Sequence, residues 1–211
     1  MQVELLDVFG DDLTVVNAAR VSFAKESTSL TEGDCKLIRY LAEHEHVTPF
    51  FHPQARFRIK MPIFVAREWY RHQIGFARNE VSRRYVDTDP EFWTPDILRE
   101  RDTNKKQGSK DTPVGCNDLC RDLILKHNSD SLELYKDLLK VGVCPEQARI
   151  VLPQNMMTEF IETGSLAAYA RLYRLRVDPH AQREIREVAH RVGELLSERF
   201  PVAWAALTSR S

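Results

Sequence analysis

Arginine is concentrated in one stretch of the chain, from Ala66 to Tyr85, which reads AREWYRHQIGFARNEVSRRY and holds five arginines. The formal net charge of the whole chain is -1 at pH 7, so this positive charge is local. Guanidinium groups bind phosphate through paired hydrogen bonds, and the interleaved Trp69, Tyr70 and Phe76 can stack on a heterocycle. The stretch therefore indicates either a site for a phosphorylated heterocycle or a solvated basic helix face.

Two arginines outside this stretch lie in apolar surroundings, Arg149 in ARIVLP and Arg176 in LYRLRVDPHAQ. An arginine without an anionic partner is costly to bury, so each predicts either a ligand or a nearby Asp or Glu. The chain has no glycine-rich phosphate-binding motif, so any nucleotide must be bound by side chains. Ser82 has no histidine near it in sequence to activate it, and we expect it to donate a hydrogen bond to phosphate.

Three histidines, His44, His46 and His52, are close in sequence and would suit a metal-dependent phosphohydrolase. However, residues two apart share a side only in an extended segment, and no carboxylate accompanies these histidines at a ligand spacing. We therefore predict no metal site. The four cysteines lack CxxC pairing, which predicts free thiols in a reducing compartment.

The composition predicts one domain spanning residues 1–211. With 43% hydrophobic and 29% charged residues, the chain is typical of a soluble globular protein. No apolar run is long enough to span a bilayer, and no signal-peptide pattern opens the chain. The sequence pI of about 6.7 argues against general nucleic-acid binding. We therefore predict a cytoplasmic protein with neither a membrane nor a nucleic-acid partner.

The periodicity of apolar residues predicts a helix-rich α/β (α+β) fold with a small sheet. Strands are predicted for VELLDVF, for the alternating segment Ala55–Met61 and for MMTEFIET. Helices are predicted from Leu13 to Phe23 with Asp12 as N-cap, from Thr31, from Pro62 to Gln73, and over residues 117–140, 165–175 and 179–200. Residues 76–85 are predicted to form a tightly turned loop, and residues 96–115 an exposed, mobile insertion.

At this point the motifs resemble a known family, the flavin-dependent thymidylate synthases. The family signature is Arg-His-Arg, seven residues and Ser, continuing through Asn-Glu to Arg-Tyr. Here Arg71-His72 begins it and NEVSRRY, from Asn79 to Tyr85, ends it. Other blocks resemble the family in the same order over most of the chain: VELLDVFGDDL…AARVSF, HVTPFFH, MPIFVAREWYRH, ARIVLP and LRVDPHAQ.

Several positions depart from the family pattern. Gln73 occupies the third signature position, and one extra residue separates it from Ser82. Glu68 stands where Gln is common, and Phe51 replaces an acidic residue. Many members carry flavin-contacting Asn, Arg and Asn at the positions held here by Ser165, Ala167 and Arg171. These departures lie mostly around the implied flavin site.

The resemblance implies the following site. The phosphate and sugar of dUMP would be bound by Arg71, Ser82, Arg84 and Arg149, with Glu80, Val81 and Arg83 contributing. Arg176 would be the catalytic residue, contacting the uracil ring and favouring its N3-deprotonated form. FAD would be contacted by Thr48, Arg71, His72, Asn79 and Glu80, with Ser22, His46 and His180 close by.

The implied reaction is reductive methylation of dUMP to dTMP. Methylenetetrahydrofolate would supply the carbon and NADPH would reduce the FAD, in a homotetramer whose active sites lie at subunit interfaces. The flavin carries the difficult chemistry, which agrees with a sequence that shows no activated nucleophile. Three alternatives stay open: a related flavin- and folate-dependent modification of another pyrimidine nucleotide (dCMP, or hydroxymethylation), a metal-dependent phosphohydrolase, and a non-catalytic nucleotide-binding homologue.

Overall fold

The computed structural model describes residues 1–86, 88–103 and 108–209, and its chain divides into two compact units. The first unit comprises Met1–Ile59, Trp69–Asn79 and Phe160–Ser211. The second unit comprises Lys60–Glu68 and Glu80–Glu159.

Helices and strands follow in the order β1 (Gln2–Phe9), α1 (Asp12–Arg20), α2 (Glu32–Glu43), β2 (Gln54–Pro62), α3 (Ile63–Trp69), β3 (Phe76–Glu80), β4 (Arg99–Arg101), β5 (Ser109–Pro113), α4 (Asn117–Lys140), α5 (Pro145–Ala148), β6 (Met157–Ser165), α6 (Leu166–Arg176), α7 (Arg183–Arg199) and α8 (Pro201–Thr208). Short 3-10 turns occupy Val21–Phe23, Thr48–Phe51 and Arg149–Val151. The predicted mixed, helix-rich fold is confirmed. None of the described helices is long and apolar enough to cross a membrane.

The larger sheet has the strand order β1-β2-β6-β3. Strand β2 shows why the alternating segment forms a strand, since its apolar residues are buried while Arg56 and Arg58 are exposed. Those two arginines form ion pairs with Asp7 and Glu4 of β1. The basic face of β2 is therefore matched by an acidic neighbouring strand, and the reversed order of the pairs shows that the two strands run antiparallel.

Strand β3 corrects the prediction of a loop after Gly75. It pairs with β6, and just before its first residue the Gly75 carbonyl accepts a hydrogen bond from the Ser165 amide at 3.2 Å. The sequence FARNE hides this strand because only one of its two inward-facing residues, Phe76, is apolar and the other, Arg78, is charged. Arg78 forms an ion pair with Glu162 of β6, a contact that joins residues far apart in sequence.

The N-cap of α1 also differs from the prediction by one residue. Asp11 caps α1, accepting a hydrogen bond from the Thr14 amide at 3.0 Å. The buried Asp12 instead accepts hydrogen bonds from the Val202 and Ala203 amides at 2.9 and 2.8 Å, at the start of α8. Asp12 therefore joins the two ends of the chain within the first unit.

The segment predicted as a mobile insertion contains a hairpin in the second unit. Strand β4 pairs antiparallel with β5, and every residue of β5 is exposed, as expected. Residues 104–107 of the predicted insertion lie outside the described part of the chain. Helix α4 follows with the predicted bounds, Asn117–Lys140.

Candidate active site

The turn between α3 and β3, in the first unit, carries Arg71 and His72. Helix α3 ends at Trp69, whose buried indole Nε1 donates to both carboxylate oxygens of Glu162 at 3.1 and 3.2 Å. Gly75 closes the turn at a φ of +85°, a conformation that glycine adopts without steric cost. The turn leaves Arg71 exposed and His72 buried.

A buried ion pair lies beneath this turn. Arg78 bonds to Glu162, which is fully buried, and the Arg78 guanidinium lies 4.7 Å from the centroid of the Phe76 ring and 5.5 Å from that of the Tyr70 ring. Burial raises the pKa of Glu162, and the Arg78 charge and the hydrogen bonds to this carboxylate oppose that rise. The pair fixes the start of β3 on β6, because separating either charge from the other would leave it buried alone.

His72 and Arg176 form the central contact of the first unit. Arg176 Nε donates a hydrogen bond to His72 Nε2 at 2.8 Å. Burial, reinforced by the positive charges of Arg176, Arg171, Arg78 and Arg71, lowers the pKa of His72 to about 4. The imidazole is therefore neutral at pH 7, with Nε2 as acceptor and the ring proton on Nδ1.

A second group of basic residues lies in the second unit, on the segment after β3 and near α5. Arg84 Nη1 lies 3.3 Å from the Glu146 carboxylate, and Arg84 Nη2 donates to the Tyr85 hydroxyl at 2.7 Å. Arg149 Nε donates to the Glu146 carbonyl at 3.2 Å. The structure therefore brings Arg84 and Arg149 together around Glu146, and since both arginines are exposed, each can still reach an anion.

The residues between β3 and Arg84 are held by polar contacts. Thr158 Oγ1 donates to Glu80 at 2.5 Å, and the Val81 amide donates to the Glu159 carbonyl at 2.9 Å. Ser82 Oγ accepts from the Arg84 amide at 3.3 Å. These bonds give the segment a defined path along β6. Arg83 is held as well, by a hydrogen bond to the carbonyl of Thr88.

Comparison with known proteins identifies the family. The family model described as "Thymidylate synthase complementing protein" matches residues 4–202. A protein of Thermosipho melanesiensis named flavin-dependent thymidylate synthase is 40% identical over 200 residues, covering 94% of this chain and 86% of the relative. The chain belongs to the flavin-dependent thymidylate synthase family.

Two further comparisons agree with the assignment of this chain to the flavin-dependent thymidylate synthase family. A protein of that name from Thermus thermophilus is 40% identical over 204 residues, covering 97% of this chain and 74% of the relative. The crystal structure of the UMP/dUMP methylase PolB from Streptomyces cacaoi, bound with 5-Br dUMP, superposes with a TM-score of 0.87 at 31% identity. That alignment covers 99% of this chain and 94% of PolB.

The site residues predicted for this family member are divided between the two units. The first unit holds Ser22, His46, Thr48, Arg71, His72, Asn79, Arg176 and His180. The second unit holds Glu80, Val81, Ser82, Arg83, Arg84 and Arg149. Within these sets, the structure brings together His72 with Arg176, and Arg84 with Arg149 through Glu146.

Four predicted flavin contacts are exposed residues outside these two contacts. Ser22 lies on the 3-10 turn Val21–Phe23, and Thr48 begins the turn Thr48–Phe51. The His46 ring lies 6.1 Å from that of Tyr40. His180 Nδ1 lies 2.9 Å from the Asp178 carboxylate. Their exposure leaves all four available to a ligand.

Sequence reasoning missed two acidic residues of the site. Glu162 holds both Trp69 and Arg78, and Glu146 lies between Arg84 and Arg149. The signal for Glu162 was present, because it is the acidic residue at an inward position of an alternating strand. Such a residue predicts a buried basic partner.

The histidines considered for a metal do not gather acidic or sulfur ligands. Across residues 1–86, 88–103 and 108–209, no group of three or more His, Cys, Asp or Glu side chains is placed to hold a metal ion. His44 instead stacks on Tyr40, with ring centroids 4.1 Å apart. The four cysteines are free thiols, as predicted.

Proposed function

We propose that this protein catalyses the reductive methylation of dUMP to dTMP, with methylenetetrahydrofolate as carbon donor and NADPH as reductant of a bound FAD. Membership of the flavin-dependent thymidylate synthase family supports the reaction. The similarity to a UMP/dUMP methylase supports a pyrimidine nucleotide as substrate. The structural observation that carries the proposal is the contact between neutral His72 and Arg176, because it orients a permanent positive charge.

The residues present fit a flavin. The first unit exposes a guanidinium at Arg71, an amide at Asn79 and a hydroxyl at Thr48, donors that suit a diphosphate and ring carbonyls. When bound, FAD supplies the hydride that the methylation requires. We assign it to Thr48, Arg71, His72, Asn79 and Glu80, with Ser22, His46 and His180 close by.

The nucleotide is assigned to the basic residues. Arg84 and Arg149, joined through Glu146, suit the phosphate because guanidinium groups bind it in a fixed geometry. We assign the remaining phosphate and sugar contacts to Arg71, Glu80, Val81, Ser82 and Arg83. Binding of the phosphate would break the exposed, weak ion pair between Arg84 and Glu146. Glu146 would then lie beside a phosphate whose charge the two arginines neutralise.

Arg176 carries the catalytic role in this proposal. Methylation at carbon 5 requires electron density on the pyrimidine ring, and a positive charge beside the ring stabilises the N3-deprotonated form. His72 holds Arg176 through Nε, and this hydrogen bond restricts the orientation of the guanidinium plane. No nucleophilic side chain is needed from the protein.

The assembly and location follow from the same proposal. We infer a homotetramer in the cytoplasm, with active sites shared between subunits. Helix α4 supports an assembly, because it exposes Leu119, Leu123 and Leu134 by 62%, 58% and 49%. Exposed leucines on one helix face are typical of a surface covered by a partner.

The test is product formation from purified protein. With FAD, NADPH, methylenetetrahydrofolate and dUMP, we expect dTMP by chromatography and a yellow protein whose flavin absorbance bleaches on adding NADPH. Arg176→Ala should lower kcat by about 100-fold or more with flavin still bound, since one charge-stabilising contact is typically worth that much. Arg191→Ala, an exposed arginine on α7, is the control and should change nothing.

Other outcomes would identify other functions. Methylation of UMP at a rate similar to that of dUMP would extend the substrate to ribonucleotides, the alternative that the PolB similarity favours. Product from dCMP instead of dUMP would replace the assignment. A colourless protein that rejects FAD but binds dUMP would be a non-catalytic homologue. Phosphate release abolished by a chelator would indicate a phosphohydrolase.

A further inference from the structure

The turn that carries His72 runs along α6, and three hydrogen bonds join the two, at the start, the middle and the end of the helix. The Ser165 amide, at the N-cap of α6, donates to the Gly75 carbonyl at 3.2 Å. Further along α6, Arg171 Nη2 donates a hydrogen bond to the Ile74 carbonyl at 2.7 Å. At the last turn of the helix, Arg176 Nε donates to His72 Nε2 at 2.8 Å.

Gly75 lets the turn approach the helix closely. A Cβ atom at this position would lie 2.8 Å from the Ala168 Cβ and 3.3 Å from Ser165 Oγ. Only a residue without a side chain fits that gap, and the φ of +85° has the same requirement. The turn is therefore in van der Waals contact with α6 at its Gly75 end.

Burial does little to hold the middle of the turn. Gln73, Ile74 and Gly75 are all exposed, Ile74 by 71%. A local hydrogen bond from the Phe76 amide to the Gln73 carbonyl, at 3.2 Å, closes the turn on itself. Attachment of the exposed middle to the helix thus depends on hydrogen bonds, and Arg171 makes the shortest of those reaching a backbone carbonyl of the turn.

We propose that Arg171 is a positioning residue that fixes this turn on α6 and thereby sets the His72–Arg176 contact. This inference rests on the proposed function, in which Arg176 acts on the pyrimidine ring. Ile74 is two residues from His72, so movement of the Ile74 carbonyl moves the backbone that carries the imidazole. An imidazole displaced by about 1 Å no longer accepts from Arg176 Nε in good geometry, and the guanidinium loses its orientation.

The size of the effect follows from the type of bond. A hydrogen bond from a charged donor is stronger than one between neutral groups, and its loss shifts a local opening equilibrium by about 10-fold to 100-fold. The core of the first unit is untouched, because Arg171 lies on the partly exposed side of α6. Arg171→Ala should therefore change local mobility and kcat without a comparable change in melting temperature.

Four proteins test this: wild type, Arg171→Ala, Arg171→Lys and Arg174→Ala. Arg174 is the matched control, an exposed arginine on the same helix. Hydrogen–deuterium exchange with mass spectrometry should show the peptide covering residues 72–76 exchanging about 10-fold faster in Arg171→Ala. Lysine keeps a charged donor, so Arg171→Lys should restore part of the protection, while Arg174→Ala should match wild type.

Kinetics and histidine spectra complete the test. In Arg171→Ala, kcat should fall about 10-fold while the KM for dUMP stays within about twofold, because the phosphate is held by other residues. The ¹⁵N spectrum of His72 should lose the signature of a single tautomer. Unchanged exchange at residues 72–76 would overturn the inference, as would an equal effect of Arg174→Ala. Exchange and ¹⁵N spectra do not depend on turnover, so an enzyme that makes no dTMP but still shows both changes would sink only the proposed function.

Discussion

Two buried side chains of the first unit, His72 and Glu162, show how the same neighbours act on an acid and on a base. Burial disfavours the charged form of each, lowering the pKa of His72 to about 4 and raising that of Glu162. Arg78 lowers both pKa values, so it reinforces burial at the histidine and opposes it at the carboxylate. The arginines therefore secure a neutral imidazole, while Glu162 keeps Arg78 as its ion-pair partner.

The neutral state of His72 predicts how stability depends on pH. Between the ordinary pKa of 6.5 and the lowered value of about 4, the unfolded chain takes up a proton that the folded chain does not. The unfolded state binds more protons there, so the free energy of unfolding falls as the pH falls through this window. Over the whole window, the contribution of His72 is on the order of 3 kcal/mol.

Urea unfolding at pH 7, 5.5 and 4.5 measures this dependence. His72→Gln keeps an acceptor for Arg176 Nε but does not titrate, so its stability should fall less between pH 7 and 4.5 than that of wild type. His127→Gln, at an exposed position of α4, should retain the wild-type dependence. Parallel curves for wild type and His72→Gln would show that His72 is not held neutral.

At the level of helices and strands, polar side chains decide where elements begin. The carboxylate of Asp12 binds the first amides of α8, which suits a helix N-terminus because its amides are unpaired and its dipole favours negative charge. Asp34 completes the capping box of α2 by accepting from the amide of the N-cap Thr31, and Thr31 and Arg20 lower its pKa to about 2. Both carboxylates are almost completely buried, so neither bond competes with water.

Asp12→Ala should destabilise the protein more than Asp11→Ala does. The first change removes two hydrogen bonds and leaves the half-buried Val202 amide and the buried Ala203 amide unpaired, at a cost of roughly 2–4 kcal/mol. The second removes an exposed N-cap, at a cost of about 1 kcal/mol. Chemical unfolding of the two variants measures the difference. Equal losses would mean that the start of α8 does not depend on the first helix.

These elements also show which parts of the fold can be predicted from sequence patterns and which cannot. Strand β2 and helix α4 follow from periodicity, because their side chains alternate or repeat regularly along the chain. Strand β3 does not follow, since its inward-facing Arg78 is neutralised by Glu162 on the neighbouring strand β6, which is far away in sequence. The site behaves likewise. The motif locates His72 and Arg176, but no spacing predicts that residues so far apart share a hydrogen bond.

At the scale of the whole molecule, the surface of α4 is unlike that of a helix that packs only against its own chain. Its buried residues are polar or amphipathic, namely Asn128, Ser131 and Tyr135, and it exposes several leucines. Positions 119, 123 and 134 fall within about 60° of one another around a helix of 3.6 residues per turn. They lie along one strip, which the exposed Asp130, ion-paired with Lys126, interrupts before Leu134. A second copy of the chain would cover this strip in the proposed tetramer.

A double substitution, Leu119→Glu with Leu134→Glu, tests this strip. Two carboxylates on a surface buried in the assembly would need to be desolvated without partners, so we expect the tetramer to dissociate to dimers or monomers. Light scattering coupled to size-exclusion chromatography gives the mass directly. Ser129→Glu adds a carboxylate to an exposed position about 80° around the helix from the strip and should leave the mass unchanged. A double variant of wild-type mass would place the interface elsewhere. Dissociation with loss of flavin would instead indicate that neighbouring subunits complete the cofactor site, because α4 itself carries none of the assigned flavin contacts.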